Sequence, residues 1–273
     1  MRSCAMPEPL WGFDWVDELT TRYKDLQDKT VLVTGGATGI GAAIVAAFAA
    51  QGSQVIFIDL PNMESKAIQV IAELNPKAEK QPVYIACDIR DTHALNKAID
   101  GTIEIFGRCD VLINNAANDE RMNTLSVTPD AWLDSFAVNL HPVFFAARAV
   151  HAVMAKQMEG VIINLSSVNT HWAPPELAAY NTAKAGVLGL TKTLAREFGE
   201  FNIRVNAISP GWVATPKQLS KWLTKEKEAE LMTRVCLKRR IEPQEVAKLA
   251  LFLASKDACM ITGQEFVIDG GRF

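Results

Sequence analysis

The chain has five cysteines in 273 residues, and Cys4, Cys87, Cys109, Cys236 and Cys259 are scattered. None belongs to a C-x-x-C pair and no histidine pairing stands near them. Neither a disulfide framework nor a zinc site follows, and a reducing compartment is the natural setting. The sequence also lacks an uninterrupted apolar run of about 18 residues and an apolar signal-like segment at its start, which points to a cytoplasmic protein. Charge of one sign is missing too. The balance is 28 Lys+Arg against 31 Asp+Glu, a net of −3, which argues against nucleic acid or an anionic membrane as the main partner. No internal repeat, low-complexity tract or linker divides the chain, so it reads as one large domain with a sizeable core.

What is present is an alternation. From about residue 30, short β-branched runs take turns with longer helical patterns. The predicted strands are TVLVT (30–34), QVIFI (54–58), VYIAC (83–87), DVLINN (110–115), VIINLS (161–166), IRVNAI (203–208) and QEFVI (264–268). Continuous apolar runs of this length suit strands covered on both faces. Helices are predicted near 40–51, 63–74, 92–106, 129–157, 176–199 and 243–254. The rhythm predicts a doubly wound, seven-stranded parallel sheet with ligands at the strands' carboxyl ends. Two stretches break it. Residues 1–29, with Trp11, Phe13 and Trp15, form an N-terminal extension expected to pack as an arm on the surface or on a neighbouring subunit. Residues 212–240 are expected to form a lid over a ligand within the domain that spans 30–273.

The first strand runs through TGGATGIG into an amphipathic helix. Gly35, Gly39 and Gly41 would permit a tight turn and close approach of a pyrophosphate to the helix N-terminus. The spacing is G-x-x-x-G-x-G, not G-x-G-x-x-G, and no Gly-Lys-Ser/Thr follows, so this is not a nucleoside-triphosphatase loop. Asp59 ends the second strand, 18 residues after Gly41. A carboxylate there could accept ribose hydroxyls and would repel a 2′-phosphate, and no Arg or Lys adjoins it in sequence; NAD is favoured over NADP.

Further along, YNTAK places Tyr180 and Lys184 four apart on a predicted helix, hence on one face. Such a pair is commonly just a solvated couple; the glycine turn and Asp59 point to chemistry instead. Asn139 lies in FAVNLHPVFF, where Pro142 leaves the carbonyl of Val138 without a donor and should kink the helix.

Taken in order, TGGATGIG (34–41), CDI (87–89), NNAA (114–117), Asn139, Ser167, Tyr180-x-x-x-Lys184, PGWVAT (210–215) and ITGQEFVIDGG (261–271) resemble the short-chain dehydrogenase/reductase family over residues 29–271. The resemblance implies a single Rossmann domain and catalytic roles for Asn139, Ser167, Tyr180 and Lys184. Its spacing selects Ser167 rather than Ser166. It implies a cofactor site made of Gly35, Thr38, Gly39, Ile40, Gly41, Asp59, Asp88, Ile89, Asn115, Tyr180, Lys184, Pro210, Gly211, Val213 and Thr215, and a homotetramer built through the two long helices.

A tyrosine titrates near ~10 and must come down to act as a base at neutral pH. Lys184 and the positive nicotinamide ring are expected to lower it, at about 1.4 kcal/mol per unit. Tyr180 would then take a proton from a substrate hydroxyl, with Ser167 holding the reacting oxygen. A kink at Asn139 would let it and a water approach Lys184.

The substrate wall is expected in NDERM (118–122), VNTHW (168–172) and GWVATPKQLSKW (211–222), with Asn118, Arg121, Ser167, Asn169, His171, Tyr180 and Trp212 as contacts. Hydrogen-bonding groups beside tryptophan suit a polyhydroxylated ring better than a steroid or acyl chain. NNAANDER, TPKQ…KW and CLKRRIEP resemble the family's NAD-dependent aldose 1-dehydrogenases of pentoses and 6-deoxyhexoses, which implies oxidation of an anomeric hydroxyl to a lactone. Met122 stands where that subgroup suggests histidine. Three alternatives stay open: a sugar acid held by Arg121 and Lys217; a 3-oxoacyl reductase docking an acidic carrier on LKRR (237–240); and a non-enzymatic NAD sensor on the same fold.

Overall fold

The computed structural model describes residues 12–19 and 21–272. Cys4 and Trp11 lie outside that range.

Seven parallel strands form one sheet in the order β3-β2-β1-β4-β5-β6-β7. They are β1 (Thr30–Thr34), β2 (Gln54–Asp59), β3 (Val83–Ala86), β4 (Val111–Asn114), β5 (Gly160–Leu165), β6 (Ile203–Pro210) and β7 (Glu265–Ile268). Every residue of β1, β4 and β5 is buried, the expected state for strands sandwiched between helices. The helices are α1 (Gly39–Ala50), α2 (Glu64–Leu74), α3 (Thr92–Phe106), α4 (Pro129–Asn139), α5 (His141–Gln157), α6 (Asn169–Trp172), α7 (Ala178–Phe198), α8 (Pro216–Lys221), α9 (Lys225–Arg234) and α10 (Pro243–Ala254). Two apolar cores result. One includes α1 and α10, the other α3, α5 and α7.

Register fixes where the site lies. Thr34 pairs with Asn114, Asn114 with Asn164, and Asn164 with Ala207, so the carboxyl ends of the central strands finish in one row. Asn114 Nδ2 donates to Asn164 Oδ1 at 2.9 Å, and Asn164 Nδ2 donates to the Thr191 hydroxyl on α7 at 2.9 Å. This buried polar ladder ties α7 to the sheet. Hydrogen-bonded polar groups in a dry core favour one arrangement where apolar contacts alone would tolerate several, although Asn114 Oδ1 itself is left without a partner.

Sequence rules also set the helix ends. Asp91 caps α3 by accepting from the His93 and Ala94 amides at 3.0 Å, and Gly107 closes it at φ +70°. The predicted helix over 129–157 is broken into α4 and α5 at Leu140, whose φ of −130° leaves the helical range, with Pro142 in the first turn of α5. This stretch has the length and composition of a membrane span. Its break and its packing against α3, β4 and β5 instead make it a helix pair flanking the sheet.

The described part of the N-terminal extension packs on its own domain. Phe13, Val16 and Leu26 are buried in the core that holds α1. Lys77 pairs with Asp14 at 2.9 Å and Asp17 at 3.1 Å, and Asp25 accepts from the Lys256 amide at 2.8 Å.

Candidate active site

Strand order reverses between β1 and β4, which opens a crevice at their carboxyl ends. The glycine turn forms its floor. Gly35 has φ +72°, and a Cβ at Gly41 would fall 1.8 Å from the Gly35 carbonyl oxygen, so only glycine lets the turn close on itself. Asn115 fastens this turn to β4, its Nδ2 donating to the carbonyls of Thr34 at 3.0 Å and Gly35 at 2.9 Å. Asp59 accepts from the Ala37 amide at 2.9 Å and the Leu60 amide at 2.8 Å, which fixes its carboxylate at the rim. Thr215 lies across the crevice, its methyl 3.0 Å from where a Gly39 Cβ would be. The result is a backbone cradle at a helix N-terminus with a carboxylate beyond it, which fits a dinucleotide.

The proton-handling groups sit on β5 and α7. Ser167 lies near enough to Tyr180 to favour its ionised form, while the Ser166 hydroxyl donates to the Lys184 carbonyl at 3.0 Å. Lys184 is buried; its Nζ donates to the Leu165 carbonyl at 2.7 Å and lies 5.9 Å from the centre of the Tyr180 ring. Burial holds the Tyr180 phenol well above its ordinary range, Asp119 adds to that rise, and Ser167 opposes it. Burial pulls the Lys184 ammonium down to about 8, with Asp119 opposing. The expectation that Lys184 brings Tyr180 down is therefore not met. Desolvation outweighs a cation whose nearest hydrogen bond goes to a backbone carbonyl.

Asn139, at the end of α4, is fully buried. Its side chain accepts from the Asn118 amide at 2.9 Å and donates to the Asn118 carbonyl at 3.0 Å and the Ser135 carbonyl at 2.9 Å. It touches the loop after β4 and shows no direct bond to Lys184. That loop in turn meets the segment after β6. Lys217 Nζ lies 2.6 Å from Asp119 Oδ1 and 3.1 Å from Asn118 Oδ1, and Gln218 Nε2 donates to Asp119 Oδ2 at 2.6 Å. Trp212 Nε1 donates to Gln218 Oε1 at 2.7 Å. Arg121 lies 4.8 Å over the Trp222 ring, and Lys221 stands 3.6 Å from Glu120. Burial alone would raise the Asp119 carboxyl, but Lys217 and Gln218 outweigh it and hold it below the usual range.

Most of these groups border one cavity of about 1690 Å³. Its lining includes every cofactor residue anticipated from sequence, together with Asn118, Arg121, Ser167, Asn169, Tyr180 and Trp212. Asn139 stands one layer behind. His171 is a correction: it does not line the cavity but turns away, its Nε2 2.9 Å from Glu265 Oε1 on β7. Asp88, expected beside adenine, lines the cavity with its carboxylate held by Arg90 at 2.6 Å. The sequence shows no cation adjoining Asp59, yet folding brings Lys66 and Arg90 to the cavity it borders. Arg272, Trp172 and Arg234 also line it without having been anticipated. Trp172 was signalled by VNTHW; nothing in the sequence singled out Arg272.

Residues 35–272 match the family described as Enoyl-(Acyl carrier protein) reductase, a branch of the short-chain dehydrogenases/reductases. The chain is 42% identical over 254 residues to the "Probable galactose dehydrogenase" of Rhizobium meliloti (strain 1021), covering 93% of this chain and 98% of that one. It is 43% identical over 249 residues to the D-xylose 1-dehydrogenase of Caulobacter vibrioides, covering 91% and 97%. Among solved structures, a 3-oxoacyl-[acyl-carrier protein] reductase with bound NAD from Brucella melitensis superposes with a TM-score of 0.83 at 34% identity, covering 93% of this chain and 94% of that one. With the glycine cradle, Ser167, Tyr180 and Lys184 gathered on one crevice, this chain belongs to the short-chain dehydrogenase/reductase family and is a nicotinamide-dependent oxidoreductase of CH–OH groups.

Proposed function

We propose that the protein oxidises the anomeric hydroxyl of a cyclic aldose, a pentose or a hexose including 6-deoxy sugars, to the aldonolactone with NAD as acceptor. The observation that carries this is Ser167 beside Tyr180 in a cavity lined by both amides and indoles. Asn118 and Asn169 offer donors and acceptors there, and Trp172 and Trp212 border the same cavity, as a sugar's hydroxyls and C–H faces require. The names of the galactose and xylose relatives support the same substrate class.

The dinucleotide, when bound, supplies the two-electron acceptor and a positive ring. The glycine turn would hold its pyrophosphate, Asp59 its adenosine ribose, and Thr215 with Val213 its carboxamide end. Ser167 donates to the reacting oxygen and orients it. Tyr180 receives the hydroxyl proton. An anomeric hydroxyl is more acidic than an ordinary alcohol, which eases transfer to a phenolate. Lys184 offers the charge that favours the ionised phenol, and Asn139 holds the Asn118 backbone that edges the substrate wall. Asp59 supports NAD; Arg90, which also lines the cavity, is already paired with Asp88 and Asp134 and is poorly placed to welcome a 2′-phosphate.

Two alternatives lose the groups they rested on. A sugar acid was to be held by Arg121 and Lys217, but Lys217 is spent on Asp119 and Arg121 lies over Trp222. A 3-oxoacyl reductase would dock an acidic carrier on LKRR, yet Arg239 pairs with Glu245 and Arg240 with Glu228. A sensor would have no use for Ser167, Tyr180 and Lys184 on one crevice. The deciding experiment is spectrophotometric reduction of NAD and NADP with a panel of free aldoses, alcohols and 3-hydroxyacyl thioesters. Turnover of acyl thioesters but no aldose would refute the sugar reading, and binding of NAD without turnover of any substrate would favour the sensor.

A further inference from the structure

One face of the cavity carries charge that the proposed reaction does not use. Trp172, at the end of α6, has the Arg272 guanidinium 4.7 Å and the Arg234 guanidinium 5.8 Å from its ring centre. Three separate parts of the fold meet there: the turn after β5, the lid helix α9 and the chain's last described residue. All three side chains line the same cavity as Tyr180.

The two arginines differ in their partners. Arg234 is paired with Glu230, one turn earlier on α9, at 2.6 Å. Arg272 has no carboxylate within salt-bridge distance among the described residues, and its Nε is buried without a hydrogen-bond partner. The carboxylates it senses, Asp269 and Glu230, act at longer range. Burial and then repulsion from Arg234 make the Arg272 charge less comfortable than a solvated guanidinium. Lys227, also on α9, lines the same cavity. Arg272 is thus held on an indole with a guanidinium donor that no described residue fills. That is the arrangement that recognises a planar or tetrahedral anion.

Distance from the chemistry limits what such an anion can be. Trp172 follows Ser167 by five residues, through a turn in which Thr170 bonds back to Ser167 and Trp172 to Val168. That turn keeps Trp172, with the arginine on its ring, next in the chain to the strand end that carries Ser167. An anion at Arg272 would share its cavity with the molecule whose anomeric carbon faces Tyr180.

Resting on the aldose reading, we infer that the cavity holds an anion subsite at Arg272 for a carboxylate or phosphate on the sugar's end remote from C1. The favoured substrates are then hexuronic acids or hexose 6-phosphates rather than their neutral parents.

The test compares kcat/KM with NAD for D-galactose, D-galacturonate and D-galactose 6-phosphate, and for the matching glucose series, in wild type, Arg272→Gln and Arg272→Lys. One anionic series should exceed its neutral parents, and which one tells carboxylate from phosphate. Arg272→Gln should then lower kcat/KM for that series about tenfold or more, leave neutral sugars within about twofold, and be partly rescued by Arg272→Lys. Neutral sugars turned over better than both anionic series, or an equal loss on all three, would overturn the subsite and leave the aldose reading standing. If wild type oxidises neither neutral nor anionic sugars, both fall together.

Discussion

Lys217 and Asp119 form a 2.6 Å ion pair that bridges the loop after β4 to the helix after β6. Gln218 secures the other carboxylate oxygen, so Asp119 is the point at which the proposed lid is latched. Both partners keep some exposure, so the pair alone is worth little in stability. Its value is in keeping the cavity shaped. Lys217→Ala should raise KM for substrate by roughly threefold to fivefold with little change in Tm. An unchanged KM would mean that the segment is held by its apolar contacts alone.

Asp119 also disfavours ionisation of Tyr180, because a neighbouring negative charge opposes a phenolate. Neutralising it should ease deprotonation. In Asp119→Asn the acid limb of the kcat/KM profile for oxidation should move to lower pH relative to wild type. A limb that stays in place while KM rises would show that Asp119 acts only as a latch.

The phenol's burial sets the next expectation. Tyr180 is held high and Lys184 is pulled to about 8, so oxidation should rise with pH through neutrality. Tyr180→Phe should lower kcat by roughly a thousandfold while retaining NAD binding by fluorescence titration. Ser167 has no other catalytic partner on this crevice, so Ser167→Ala should also lower kcat more than it raises KM. Near wild-type turnover in Tyr180→Phe would remove this residue from the reaction.

How much of this could be read from the chain alone depends on what each inference required. The strands could be read because runs such as VIINLS are buried on both faces, and Pro142 announced the break that Leu140 makes. The choice of Ser167 over Ser166 came from family resemblance, and the physical reason appears only in the fold, where Ser166 is spent on the Lys184 carbonyl. Asp119 and Lys217 are 98 residues apart, and no local pattern pairs them. His171 and Trp172 are neighbours in sequence, yet successive helical residues point in different directions: one meets Glu265 and the other the cavity. The direction of the Tyr180 shift depends on burial, which spacing does not reveal.

Asp59 offers a clean test of cofactor choice. Its carboxylate is fixed by two backbone amides and stands where a ribose 2′-substituent would lie if the cradle binds a dinucleotide in the usual sense. Asp59→Ala should lower the NAD over NADP ratio of kcat/KM about tenfold or more. Lys66 at the same cavity would then face the added phosphate without an opposing charge from residue 59. A wild-type enzyme that prefers NADP would reverse this argument.

The opposite end of the sheet supplies a stability prediction with a defined sign. Asp110 is buried and accepts from Arg108 Nε at 2.7 Å, from the Thr30 amide at 2.8 Å and from Lys29 at 3.2 Å, tying the start of β1 to the start of β4. Burial would raise its carboxyl, but Arg108, the Thr30 amide and Lys29 outweigh that and hold it below the ordinary value. A carboxyl lowered in the folded state contributes stability above its unfolded value of about 4 and loses it as pH falls through the folded value. Asp110→Ala should therefore cost about 3 kcal/mol at pH 7, because it strands the Thr30 donor and two cations. Urea unfolding of both proteins should show that gap shrinking below about pH 4. A gap that is the same at both pH values would assign the loss to the vacated space and not to the charge.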